Sequence, residues 1–235
     1  MANLPIYIQI HNDIKRNIEA NRWKIGDRIP SERELSTQFG VSRMTLRQAI
    51  QTLVDEGILE RRVGSGTFVA NQKVQEKMSG VTGFTDLMLA QGKTPSSKVI
   101  TYHTMEPSLS EMEKLKIDES QTVLRMERVR YGDEVPICFE VATVPEDIVS
   151  GLEKSEVTSS LYRTLERKKG LRLGKAQQTV SAMNASERIA EYLGIKRGDA
   201  ILRLRQITYL QDGRPFEYVR TQYVGDRFEF YLEKE

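Results

Sequence analysis

The chain has 235 residues, 39 % of them apolar and 29 % charged, with a net charge of +2. That length suits one large or two modest domains, and the balance is that of a chain able to bury a core. It excludes a histone-like coating protein, and a single cysteine, Cys138, excludes an intrachain disulfide. Apolar runs stay short of the ~18 residues of a membrane-spanning helix, and the N-terminus lacks a leader's apolar stretch; a cytoplasmic protein without membrane partners is expected.

In chain order, Pro5 precedes a helix over about 6–21, whose Ile10, Ile14 and Ile18 recur every fourth residue and mark a core stripe. His11 on that helix reads as a packed or solvated side chain rather than a ligand. Residues 23–30 form a connector. Ser31 with Glu34 three positions later is a capping-box pattern, and Gly40 suits the left-handed end of a short helix. Ser42 caps a second helix running to about Glu56, with Leu46, Ile50 and Leu53 turned inward and Arg43, Thr45 and Arg47 free to face out. The runs ILERR and GTFVA then form a hairpin around Val63-Gly64-Ser65-Gly66, flanked by Arg61 and Arg62. Two helices joined by a tight glycine turn, followed by a basic glycine-rich wing, form a winged helix-turn-helix, whose second helix fits the DNA major groove.

These residues resemble a known family. PSEREL, FGVSRMTLRQA, LVDEG and GSGTFV match the signature of GntR-type bacterial transcription regulators over residues 5–70. The resemblance implies that Arg33 meets DNA from the first helix of the motif, that Ser42, Arg43, Thr45 and Arg47 lie on the recognition helix, and that Gly64, Ser65 and Gly66 form the wing. Arginine pairs bidentately with guanine or phosphate, and hydroxyls bind backbone oxygens, so the chemistry agrees. Residues 1–75 carry a net +3 and the remainder −1, an excess too small for binding by bulk charge alone.

Polar residues 71–79 read as a linker between a DNA-binding domain, 1–70, and a second domain, 80–235. In the latter, helices are expected at 84–91, 108–116, 159–168 and 186–193. Strands are expected at 97–105, 121–131, 134–144, 173–182, 199–211, 214–224 and 227–232, with turns at Gly132-Asp133 and Asp212-Gly213. The fold class is α+β, with a largely antiparallel sheet. A weak internal repeat relates 123–140 to 201–217, each copy a strand, a turn and a strand ending in Phe-Glu, at Glu140 and Glu217.

Alternation along 124–130 puts Arg128 and Arg130 on an otherwise apolar face, where a buried cation needs an anionic partner. Glu217, Thr221 and Tyr223 share another such face. Thr85 and Ser160 lie near predicted helix starts, where free N–H groups favour anions, and Tyr162 follows two residues after Ser160. Two explanations fit equally: a site for a phosphate or carboxylate, or internal ion pairs of Arg128 and Arg130 with Glu140 and Glu217. Arg227 reads as a turn residue in an ion pair, outside any site.

Residues 80–235 also resemble the ligand-sensing (UTRA) domain of the HutC subfamily, which has a chorismate-lyase-like fold. The match is carried by Gly80, Thr82, Phe84, Thr85, RVR at 128–130, Glu140, SSLY at 159–162 and the run from Phe216 to Arg227. Within that subfamily the likeness is to the N-acetylglucosamine-utilisation repressors of Gram-positive bacteria. It implies glucosamine-6-phosphate or N-acetylglucosamine-6-phosphate as effector. Phe84, Thr85, Arg128, Arg130, Ser160 and Tyr162 would surround the phosphate, and Glu140, Glu217 and Tyr223 would contact the sugar. A homodimer on double-stranded operator DNA is implied, with no metal and no cofactor. The alternatives are another effector (trehalose-6-phosphate, an amino-acid catabolite or an acyl group) or an enzyme on a phosphosugar with Glu140 or Glu217 as base. The scarcity of histidine and the lack of a cysteine–histidine pair disfavour the enzyme.

Overall fold

The computed structural model describes residues 4–20, 22–70 and 73–233. Backbone packing divides the chain into two units, Met1–Gln72 and Lys73–Glu235. Of the segments assigned from sequence, Met1–Asn3, Asn21, Asn71, Gln72, Lys234 and Glu235 lie outside the described residues.

In the first unit α1 (Ile6–Glu19), α2 (Glu32–Phe39) and α3 (Arg43–Asp55) pack around Ile10, Ile14, Leu35, Leu46, Ile50 and Leu53, all buried. The expected isoleucine stripe and the inward face of α3 are therefore core. Strands β1 (Leu59–Arg62) and β2 (Gly66–Val69) pair antiparallel. The connector joins this hairpin: Ile29 N–H donates to Thr67 O (3.0 Å) and Val69 N–H to Asp27 O (2.9 Å).

The second unit is built on a six-stranded antiparallel sheet ordered β4-β5-β6-β9-β8-β7. Its strands are β4 (Pro95–Met105), β5 (Val123–Gly132), β6 (Val135–Pro145), β7 (Leu173–Asn184), β8 (Ala200–Leu210) and β9 (Pro215–Val224). Helix α5 (Leu109–Leu115) follows β4 and α9 (Glu187–Leu193) follows β7. Each half is thus strand, helix, strand, strand, and the last strands of the two halves, β6 and β9, meet at the centre. The sequence repeat is the visible part of this duplication. Helices α5 and α9 cover one face, with Leu115 on Val123 and Tyr218, and Ile189 and Leu193 on Val129 and Phe139. The opposite face carries α4 (Phe84–Ala90), α6 (Glu146–Val149), α7 (Lys154–Ser159), α8 (Leu161–Lys169) and the parallel pair β3 (Val74–Lys77) and β10 (Phe228–Tyr231).

Three local expectations are corrected. Residues 74–77, expected in the linker, are strand β3: Val74 and Glu76 turn inward while Gln75 and Lys77 face out, an alternation hidden by polar composition. The turn expected at Gly132-Asp133 is shifted by one residue. Gly132 pairs with Val135, and Asp133 (φ 51°) and Glu134 (φ 66°) take the two left-handed positions that a tight hairpin demands. Helices α6 and α7 were not expected; each is too short to show a period.

Candidate functional site

On the first unit the capping box forms as expected: Glu34 N–H donates to Ser31 Oγ (3.3 Å) and Ser31 N–H to Glu34 Oε2 (2.8 Å). Gly40 ends α2 in the left-handed conformation (φ 65°) and Ser42 Oγ accepts from Thr45 N–H (3.2 Å), which sets the start of α3. Arg33, Ser42, Arg43 and Arg47 are exposed, and Thr45 is half-buried. At the wing tip Ser65 N–H donates to Arg62 O (2.9 Å), while Gly64 (φ 73°) and Gly66 (φ 123°) adopt angles that side chains disfavour. A Cβ on Gly66 would come within 2.7 Å of Arg28 Nε. The structure adds Glu32: it accepts from Arg47 Nε and Nη2 (both 3.2 Å) and from Arg61 Nη2 (3.3 Å), joining α2, α3 and β1. No local spacing in the sequence signals a contact between residues so far apart.

On the second unit all nine residues expected around an effector line one cavity on the helix-α8 side of the sheet. It lies between two apolar clusters, Met126, Ala142, Val219 and Leu161 on one side, Leu87, Cys138, Leu204 and Phe228 on the other. The two arginines behave differently. Arg128 donates from Nε to Glu140 Oε1 (3.1 Å) and from Nη1 to Thr158 O (2.8 Å), and its Nη2 also bonds Glu140. Its capacity is used internally. Burial opposes the charge on Glu140, but Arg128 and Arg130 outweigh it and hold that carboxyl below its usual range.

Arg130 is only 3 % exposed. Its Nη2 donates to Thr85 Oγ1 (3.2 Å), its Nη1 stands 4.0 Å from Glu140, and its Nε has no partner. The guanidinium lies 4.6 Å over the Phe84 ring. Burial, then the charge of Arg128, lowers its pKa to about 10, so it is a cation at neutral pH. Thr85 in turn donates to Ser159 O (3.2 Å), tying α4 to the α7–α8 junction, where Ser160 precedes α8 without a side-chain capping bond.

Glu217 has no arginine partner. Tyr162 OH (2.5 Å) and Thr208 Oγ1 (3.0 Å) both donate to its Oε2. Burial pushes its pKa up to about 7. Gln206 Nε2 reaches Tyr162 OH (3.2 Å) and Thr208 Oγ1 (2.9 Å), and Gln178 Nε2 donates to Gln206 Oε1 (2.6 Å). Tyr223 stacks on Phe228 at 3.8 Å, and burial raises its hydroxyl well above the usual value. The ion-pair explanation thus holds for Arg128 with Glu140, only at the 4.0 Å limit for Arg130 with Glu140, and not for Glu217. Sequence reasoning missed Glu76, Gln206 and Thr208. The first was assigned to a linker; the others lie on β8, where a polar face reads as solvent-facing. Arg227 is structural, yet not through an ion pair: its Nη1 donates to Pro136 O (2.7 Å) and Leu193 O (2.8 Å).

Residues 6–69 match the family model for bacterial regulatory proteins of the gntR family, and residues 90–229 match the UTRA domain. The transcriptional repressor NagR of Bacillus subtilis is 35 % identical over 97 % of this chain and 93 % of its own length. The mannosyl-D-glycerate transport/metabolism system repressor MngR of Escherichia coli is 31 % identical, over 99 % and 97 %. Among solved structures, PhnF from Mycobacterium smegmatis superposes with a TM-score of 0.80 at 28 % identity, covering 96 % of this chain and 98 % of that one. A GntR-family regulator from Enterococcus faecalis is 60 % identical over 59 % of this chain and all of that chain, with a TM-score of 0.56. These relatives are transcription regulators and not enzymes, and members of the family bind operator DNA and small-molecule effectors. The chain belongs to the gntR family of bacterial regulatory proteins, with a winged helix-turn-helix head followed by a UTRA domain.

Proposed function

We propose that the protein is a cytoplasmic, homodimeric repressor of amino-sugar utilisation genes, whose hold on operator DNA is modulated by glucosamine-6-phosphate or N-acetylglucosamine-6-phosphate. Arg130 carries this reading: a buried guanidinium with an unpartnered Nε, beside the Thr85 hydroxyl, is a cation waiting for an anion. The likeness to NagR over nearly the full chain supports the amino-sugar class. Glu140, Glu217, Tyr162 and Tyr223 supply the acceptors and donors that sugar hydroxyls need.

The cavity encloses about 60 Å³, below the ~300–1,000 Å³ of drug-sized sites. A sugar phosphate exceeds that volume, so binding one requires the cavity to widen. An acyl chain fits poorly among these polar walls. Relatives of similar identity are named for mannosyl-D-glycerate and for fructoselysine, so compounds of both kinds, with trehalose-6-phosphate, belong in the test.

The test is thermal unfolding of wild type and Arg130→Ala against that panel. At a hundredfold excess over Kd a ligand bound only to the folded form stabilises by ~2.7 kcal/mol, a rise of several degrees for a domain of this size. A rise with an amino-sugar phosphate, absent in Arg130→Ala, is expected. A rise only with fructoselysine or mannosyl-glycerate compounds would reassign the effector, and no rise with any phosphate would remove the anion site.

A further inference from the structure

We propose that Glu76 is the residue by which this cavity selects an effector bearing a free amine over one bearing a hydroxyl or an acetamide in the same place. The inference deepens the phosphosugar reading and rests on it.

The cavity's charges do not balance. Among the described residues that line it, Arg128 binds Glu140 closely, Arg130 reaches the same carboxylate only at 4.0 Å and keeps an unpartnered Nε, and Glu76 and Glu217 have no basic side chain in ion-pair contact. A ligand completing this set brings an anion for Arg130 and a cation for a carboxyl. Glu217 already accepts from the hydroxyls of Tyr162 and Thr208. Glu76 has no hydroxyl donors of that kind: it is 8 % exposed, and Gln178 on β7 is the side chain that bonds it. A buried carboxyl without a counter-charge destabilises a fold, and the other inward residue of β3 is Val74, so the strand itself does not require one.

The groups facing Glu76 leave it free to respond. Cys138 on β6 and Tyr223 on β9 are held protonated by burial, Arg130 stays charged, and Glu140 stays ionised. Glu76 itself is raised by burial to about 7, as is Glu217 at the far end of the Gln178–Gln206–Tyr162 chain. An ammonium group beside Glu76 favours the carboxylate, whose proton is released to solvent, and leaves a charge-assisted contact. A hydroxyl or acetamide cannot do so, and the acetyl group also adds bulk.

The experiment is calorimetric titration at pH 8 of glucosamine-6-phosphate, glucose-6-phosphate and N-acetylglucosamine-6-phosphate into full-length wild type, Glu76→Gln, Glu76→Asp and Arg130→Ala. Wild type is expected to bind the free amine about tenfold or more tighter than the other two, a factor typical of one charge-assisted contact. Glu76→Gln should bring the three ligands within about threefold while glucose-6-phosphate binds as in wild type, which also reports an intact cavity. Glu76→Asp should keep the preference, and Arg130→Ala should weaken all three alike. Equal losses for all three ligands in Glu76→Gln, no preference in wild type, or Asp behaving as Gln would each overturn the role of Glu76 and leave the phosphosugar site standing. Failure of every phosphosugar to bind wild type would overturn both.

Discussion

Arg128 and Arg130 sit two residues apart on the same strand face and have opposite duties. The first is spent on Glu140 and the carbonyl of Thr158; the second keeps an unpartnered nitrogen. Alternation along the strand predicted that both point inward, and nothing in the sequence separates their roles, because the partners come from β6 and the α7–α8 junction. Truncating Arg128 strands the buried Glu140 charge, so Arg128→Ala is expected to lose roughly 3–5 kcal/mol in urea unfolding. Arg130→Ala removes a cation that has no full partner and should cost far less. The raised carboxyls give a second expectation. Glu217, at about 7 in the folded protein against 4.5 ordinarily, is neutral and harmless below pH 4.5. Its stability contribution is lost as pH rises through 7, on the order of 3 kcal/mol when complete. Without effector, stability should fall between about pH 4.5 and 7, and Glu217→Gln should remove roughly half of that slope, Glu76 supplying the rest. An unchanged slope in the variant would contradict the assignment. Glu111 works in the opposite sense. Burial disfavours its charge, but hydrogen bonds from Ser108, Arg125 and Thr143 prevail and hold it at about 2. Its contribution is present above pH 4.5 and fades as pH falls toward 2.

At the level of elements, the head was legible almost residue by residue, because its signals are local: two N-caps, a glycine helix end and a glycine wing. Ser31→Ala removes the capping box and is expected to cost ~1 kcal/mol. Gly66→Ala places a side chain at φ 123° against Arg28. It should destabilise the wing by about 1–3 kcal/mol and weaken DNA binding more than it weakens the fold, measured by unfolding beside duplex titration. In the second unit the long strands and their hairpins followed from alternation. Strand β3 did not, since a buried glutamate at its centre imitates a linker; the helices α6 and α7 did not, since one turn carries no period. The repeat hinted at by two Phe-Glu endings proves to be a duplicated strand-helix-strand-strand unit. Its inner strands, β6 and β9, present Glu140 and Glu217 to the same cavity.

For the molecule as a whole, sequence supplied the order of parts, a DNA-reading head followed by a sensing domain, and family membership confirms that order. Effector identity was not legible in the same way, because it depends on which buried charges remain unpaired, and only the assembled cavity reveals this. In the proposed homodimer the recognition helices meet half-sites about one turn apart (~34 Å), and the effector favours an arrangement that no longer fits them. Such coupling is worth ~1–3 kcal/mol and is reciprocal. The decisive measurement is therefore the affinity of glucosamine-6-phosphate for the protein alone and for the protein saturated with a duplex that it selects from a random pool. The account predicts that DNA weakens the effector by about 5–150-fold. Equal affinities would contradict it.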